Sequence, residues 1–195
     1  GVGLVAIVSS STGGTGVVGA ADQLLANTFD LAHNPAPGHS ISLYGYFLDQ
    51  DRGANFTGFA NNSHRTLGVR AEGSFAVGDP ERERAISYIA EVGRQDSYAG
   101  GDSRINAAYW RLGAGVSNML GGLRLDYEVK GSNHGVYGLQ TPLTDLYAFN
   151  GWALQFTTTP ALGLRDTWAT VRSEFLDDRL VFRAQFHRDR SDFGG

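Results

Sequence analysis

Cysteine is absent from the 195 residues, which excludes a disulfide framework, a thiolate nucleophile and a cysteine-type zinc site and fits any compartment. No apolar run approaches the ~18 residues that a transmembrane helix needs. Positive charge is scarce and dispersed: of 16 basic residues 15 are arginine, and the net charge is -4. No basic stripe argues for nucleic acid, and no run of like charge argues for a disordered tail. The apolar Gly1–Val8 opening lacks a basic n-region, so a complete secretory signal is not expected; an exported protein would be present here in mature or trimmed form.

Metal and enzyme signatures are equally thin. The histidines His33, His39, His64, His134 and His187 form no metal-binding pair at short spacing, so no metal site is expected. Asp102, Asp145 and Asp166 are possible acids for hydrolysis, but no spacing selects a carboxylate pair. Loop Asp and Asn residues offer oxygen ligands for calcium without an EF-hand spacing. The sequence therefore gives no catalytic residues and no cofactor, and the expectation is that the protein is not an enzyme.

Glycine and aromatic residues are plentiful. The chain has 27 Gly and an aromatic fraction of 11%, a mixture that suits many short strands in one all-β domain. Five stretches alternate apolar and polar residues with period two, most clearly Leu123–Lys130. There Leu123, Leu125, Tyr127 and Val129 share one face, while Arg124, Asp126, Glu128 and Lys130 share the other. In a closed sheet this pattern gives an apolar outside and a polar lumen; in a soluble sandwich it gives an apolar interior and a wet exterior.

The first 38 residues read differently from the rest. Gly1–Val8 suits a strand, Ser9–Gly19 a small-residue loop, Ala20–Phe29 a short helix and Asn34–Gly38 a loop. From His39 the alternation predicts a strand with Ile41, Leu43 and Phe47 opposite Ser42, Tyr44 and Tyr46. Further strands follow over 66–77, 84–92, 107–117, 123–130, 166–175 and 180–187, giving seven, or eight with Gly1–Val8. Short turns (78–80, 120–122, 176–178) alternate with long connections (49–64, 94–105, 131–165). Outer-membrane barrels sort their loops in this way, and a soluble sandwich has no reason to.

The 131–165 connection is too rich in apolar residues to sit freely in water, and long loops in compact domains are usually functional. The expectation is that it folds into a barrel mouth and narrows it, with Tyr137, Gln140, Asp145, Tyr147, Phe149 and Trp152 at the constriction. The alternative is that it covers an edge or makes an interface.

Several blocks resemble a family. Gln140-Thr141-Pro142-Leu143, Ala148-Phe149-Asn150-Gly151-Trp152-Ala153, Thr158-Thr159-Pro160 and Gly163-Leu164-Arg165-Asp166, with Leu43-Tyr44-Gly45-Tyr46-Phe47-Leu48-Asp49 and Tyr109-Trp110 upstream, resemble the alginate-export-like outer-membrane porins over roughly 39–192. The resemblance implies a β-barrel channel, and the family name suggests anionic saccharides as cargo. Members are longer and end on an aromatic-terminated strand, so the chain is expected to be a portion of a larger barrel or a small divergent one. It brings no catalytic residues.

Against this stands a formal GxGxxG, Gly14-Thr15-Gly16-Val17-Val18-Gly19, between strand-like and helix-like segments. A dinucleotide-binding turn uses such glycines to bring a pyrophosphate to a helix N-terminus. Here the spacing is looser than that turn and no βα units follow.

The polar strand faces carry the functional expectation. Arg70, Glu72, Arg111, Arg124, Asp126, Glu128, Arg172, Glu174 and Arg183 all fall opposite the apolar stripe. As pore-lining residues they would set a transverse field and select by charge and size, with arginine forks suited to oxyanions. The alternative is a set of solvated or salt-bridged wall charges. The sequence thus points to an antiparallel up-and-down transmembrane β-barrel, or part of one. It would lie in the bacterial outer membrane, with the lipid bilayer and a small hydrophilic solute, anionic or saccharide, as partners, and with room for a homo-oligomer. A soluble β-sandwich or barrel that binds a ligand is the second reading, and a nucleotide-binding enzyme the third.

Overall fold

A computed structural model describes residues 4–14, 23–50, 61–78, 84–141, 159–175 and 180–194, with backbone alone at 4–14, 23–25 and 50. Nine strands form one sheet: β1 (Leu4–Gly14), β2 (Gln23–Ala36), β3 (His39–Gln50), β4 (His64–Ala76), β5 (Ala85–Ser97), β6 (Asn106–Asn118), β7 (Gly121–Lys130), β10 (Leu164–Phe175) and β11 (Leu180–Arg190). Two short strands, β8 (Ser132–Asn133) and β9 (Tyr137–Gly138), pair with each other inside the connection from β7 to β10. Every pairing is antiparallel and joins neighbours in sequence, apart from that β7–β10 step. The fold is all-β and up-and-down, with no helix among the described residues. Also among the described residues, β1 and β11 are the two edges of the sheet and do not pair with each other.

Two expectations for the N-terminal region are corrected. The short helix over Ala20–Phe29 is replaced, from Gln23 onward, by β2, and Ser9–Gly14 are strand rather than loop. Helix propensity is a weak prior, and β2 satisfies its backbone on both sides, against β1 from Gln23 to His33 and against β3 from Leu24 to Ala36. The Asn34–Gly38 loop shrinks to a two-residue turn. Pro35 sits where the register slips between His33 and Ala36, the bulge position at which a strand tolerates a missing N–H. Pro37 then precedes Gly38, whose φ of +77° is the glycine position of a type II turn. Among the described residues the sheet thus has nine strands, where the alternation alone gave seven or eight.

Of the GxGxxG motif only Gly14 is described; residues 15–19 lie outside the described residues. Gly14 ends β1, and the chain re-enters the sheet at Gln23 antiparallel to β1. Neither a helix nor a parallel strand pair, both of which that reading expects, occurs among the described residues.

The connections sort by end. At one end the chain turns through 37–38, 77–84, 119–120 and 176–179; at the other it runs through 15–22, 51–63, 98–105 and 131–163. The first set is two to eight residues long and the second eight to thirty-three. These are called below the short-turn end and the long-loop end.

Burial runs opposite to that of a water-soluble sheet. Leu112, Val116, Leu125 and Val92 are 54–60% exposed, while Asp126, Lys130, His64 and Gln95 are no more than 3% exposed. The apolar stripe faces outward and the charged stripe is the sheltered one. The compact apolar core among the described residues is small: Ile105, Ala107, Tyr137 and Leu139, with Tyr109 against it, at the long-loop end.

Candidate functional site

The sheltered face is built by register. In one row across the sheet Arg70, Glu91, Arg111, Glu128, Asp166 and Asp189 stand opposite one another in turn. The next row toward the short-turn end carries Glu72, Ile89, Gly113, Asp126, Trp168 and His187. A one-residue slip in any strand would send its members to the other face. All nine residues expected to line a pore (Arg70, Glu72, Arg111, Arg124, Asp126, Glu128, Arg172, Glu174 and Arg183) stand on this face.

At its centre Asp126 has a side chain with no exposure and receives two arginines. Arg111 Nη2 donates to Oδ1 at 2.8 Å, and Arg124 Nε donates to Oδ2 at 2.7 Å. A buried carboxylate held by two guanidinium groups satisfies the need of such a charge to be paired and hydrogen-bonded. Arg111 also lies 5.0 Å from the centroid of the Trp168 ring, and Trp168 stacks on His187 with centroids 5.7 Å apart. His187 Nδ1 and Asp166 Oδ2 are 2.8 Å apart.

Glycines on β6 make this cluster possible. A Cβ on Gly113 would collide with the Asp126 carboxylate and the Arg124 guanidinium. Gly115 leaves the gap through which Arg124 reaches over β6 to Ser87 Oγ on β5, at 3.4 Å. Gly68 plays the same part for Tyr44, whose ring occupies the place of its missing Cβ.

The charges are largely consumed in pairs. Arg70 bonds Glu72, Arg172 bonds Glu174, and Lys130 Nζ lies 3.6 Å from Glu128, whose Oε1 also accepts from Tyr109 Oη at 2.8 Å. Arg183 differs: it stands opposite Arg172 and makes no ion pair among the described residues. Arg124, Arg172, Arg183, Thr170 and Ser87 line an open trough of about 510 Å³ toward the short-turn end. Chemically this trough can hold an oxyanion, because guanidinium forks outnumber carboxylates there.

At the long-loop end the sheltered face carries a neutral hydrogen-bonded clamp. Gln95, on the sheltered face of β5 and with no exposure, accepts from Tyr137 Oη at 2.6 Å and from the Gln140 N–H at 2.9 Å. Its Nε2 donates to Gln140 O at 2.7 Å and to Thr66 Oγ1 at 2.9 Å. Gln140 Nε2 in turn donates to Thr159 O at 2.9 Å, tying the two arms of the 131–163 connection together. The described part of that connection therefore folds onto the sheltered face. Burial raises the Tyr137 hydroxyl well above the usual tyrosine range, which keeps it a neutral donor. Of the other expected constriction residues, Asp145, Tyr147, Phe149 and Trp152 lie outside the described residues.

Sequence reasoning did not single out Glu91, Asp189, Gln95 or Trp168, which share the sheltered face, and reached Asp166 only as a possible acid. For Glu91 and Trp168 the strand parity was a usable signal. Gln95 needed the register, because its parity lies at the start of an expected loop.

No protein-family model, curated protein or solved structure matches the chain.

Proposed function

We propose that this chain forms part of the wall of a bacterial outer-membrane channel for passive passage of small hydrophilic, anionic or saccharide solutes, in the manner of the alginate-export-like porins it resembles. The observation that carries the reading is the inverted burial of its faces. Seventeen large outward-facing side chains from β2 to β11 are exposed by a third to three quarters, an apolar area on the order of 1,500 Å². A soluble monomer's largest patch is roughly 300–600 Å². At ~25 cal/mol per Å², moving that band from water to hydrocarbon is worth about 35–40 kcal/mol. The band also has the right height: 7–11 residues per strand on β4, β5, β6, β7, β10 and β11 at ~3.3 Å each, tilted by about 40°, span roughly 18–28 Å, against the ~25 Å of an outer-membrane barrel.

A bilayer does not tolerate unpaired strand edges, and an eight-stranded barrel is filled by its own side chains. A conducting pore therefore takes further strands between β11 and β1, from the same protein or from neighbouring copies. Solutes meet the Arg172–Arg183 trough at one end and the Gln95-clamped neck at the other, with the paired charges of the middle rows in between. Ion pairing consumes most of the arginine charge and leaves many polar atoms, which suits polyhydroxylated solutes, and Arg183 biases the short-turn end locally toward anions.

The test is refolding into detergent and liposomes, followed by gel mobility with and without heating and then planar-bilayer conductance. A fast-migrating unheated band, protease resistance and anion-biased conductance that Arg183→Gln diminishes would support the channel. A folded monomer in plain buffer that ignores lipid would overturn it and leave the soluble ligand binder.

A further inference from the structure

The outward face carries a second charge pattern, distinct from the channel wall. Within the described strands five arginines face outward, Arg65, Arg94, Arg165, Arg188 and Arg190, and all five lie toward the long-loop end. Outward strand carboxylates are confined to Asp49 and Asp96 among the described residues, the latter 3.0 Å from Arg94. The densest group is on the last two strands. Arg165 stands directly opposite Arg190, and Arg188 lies one outward position further along β11, opposite Thr167. Like charges directly opposite destabilise a strand pair. Only Arg165 has a compensating partner, Asp192 at 2.8 Å; Arg188 and Arg190 are exposed and make no ion pair among the described residues.

The depth of this group is fixed by its neighbours. Arg165 shares its row with Trp110 and Val129, and Arg188 shares its row with Tyr127. Trp110 and Tyr127 pack together at 4.9 Å on the same outward face. Aromatic side chains of this kind mark the level where hydrocarbon meets head groups. Below them the outward face is apolar, with Leu125, Ala169 and Phe186 in one row; Phe186 is 73% exposed.

We propose that Arg165, Arg188 and Arg190 form a docking site for the phosphate of an anionic lipid head group in the leaflet at the long-loop end. A phosphate there would neutralise the cross-strand arginine pair, accept bidentate guanidinium bonds and place its acyl chains against Phe186 and Leu125. The proposal rests on the membrane reading above.

The test uses the full chain reconstituted in phosphatidylcholine vesicles, with association of spin-labelled phosphatidic acid measured against spin-labelled phosphatidylcholine. The expected result is a preference of roughly five- to thirtyfold for the phosphate lipid, weakened by salt. It should be abolished by the Arg165→Gln, Arg188→Gln, Arg190→Gln triple variant and kept by Arg84→Gln in a short-end turn. No preference in the wild type, or an undiminished preference in the triple variant, would overturn the docking site while heat-modifiable insertion still upheld the membrane reading. Failure to insert at all would remove both. Should the triple variant fail to fold, Arg190→Gln alone must lower the preference or the proposal falls.

Discussion

Leu125 offers the sharpest discrimination between a sheet facing lipid and a sheet facing water. It lies within the outward stripe on β7, between Leu123 and Tyr127, in the row it shares with Ala114, Ala169 and Phe186, and is 57% exposed. In water, replacing a half-exposed leucine by arginine is a surface change and should move stability by no more than about 0.5 kcal/mol. In a bilayer the same guanidinium would sit near the midplane, where an outward-facing arginine on a barrel costs ~2–4 kcal/mol. Nearer the head groups the cost falls to about 0–1 kcal/mol, so Phe175→Arg, at the short-turn end of β10, serves as the depth control. The assay is reversible guanidinium unfolding of the full chain in phosphatidylcholine vesicles, followed by tryptophan fluorescence. The expected outcome is a loss of ~3 kcal/mol for Leu125→Arg and a much smaller loss for Phe175→Arg. Equal and negligible losses at both positions would refute the assignment of the outward face to lipid.

Asp126→Asn should cost about 2–3 kcal/mol, less than the loss of one partner from a fully buried pair because Arg111 and Arg124 are 26% and 29% exposed; in the proposed channel the same variant should shift the reversal potential toward anions. Gln95→Leu removes the hydrogen bond to Tyr137 Oη and strands the Gln140 N–H, worth ~1–3 kcal/mol when left unpaired, and should expose the 131–141 segment to limited proteolysis while strand signals persist; an unchanged cleavage pattern would show that the clamp does not hold that segment. The Asp102 carboxyl is lowered to about 2 by its hydrogen bonds to Arg104, below the ~3.9 of an unfolded aspartate. Its contribution to the 98–105 loop is thus fully present above about pH 4 and lost as pH falls through about 2. Amide exchange in that loop should rise only below about pH 3, and Asp102→Asn should remove the transition.

How far the sequence alone reached follows from the physics of each feature. Strand parity is local: side chains alternate with period two whatever the strand pairs with, so Arg111 and Leu112 were bound to face opposite ways, and the nine charged residues could be grouped from their spacing alone. The rhythm of short and long connections was likewise written in the placement of Gly, Pro and Asp. Residues 23–36 were not legible, because Leu24, Leu25, Asn27 and Thr28 fit a short helix as well as a strand. Only hydrogen bonds to β1 and β3, which lie outside the segment itself, decided for the strand. The Asp126 cluster and the Gln95 clamp were hidden for the same reason: they join residues up to 45 positions apart and depend on register, which no single segment specifies. Which face is sheltered was also a tertiary decision. Alternation supplies one apolar and one charged face, but only the assembled sheet turned the charges inward and left the apolar stripe exposed.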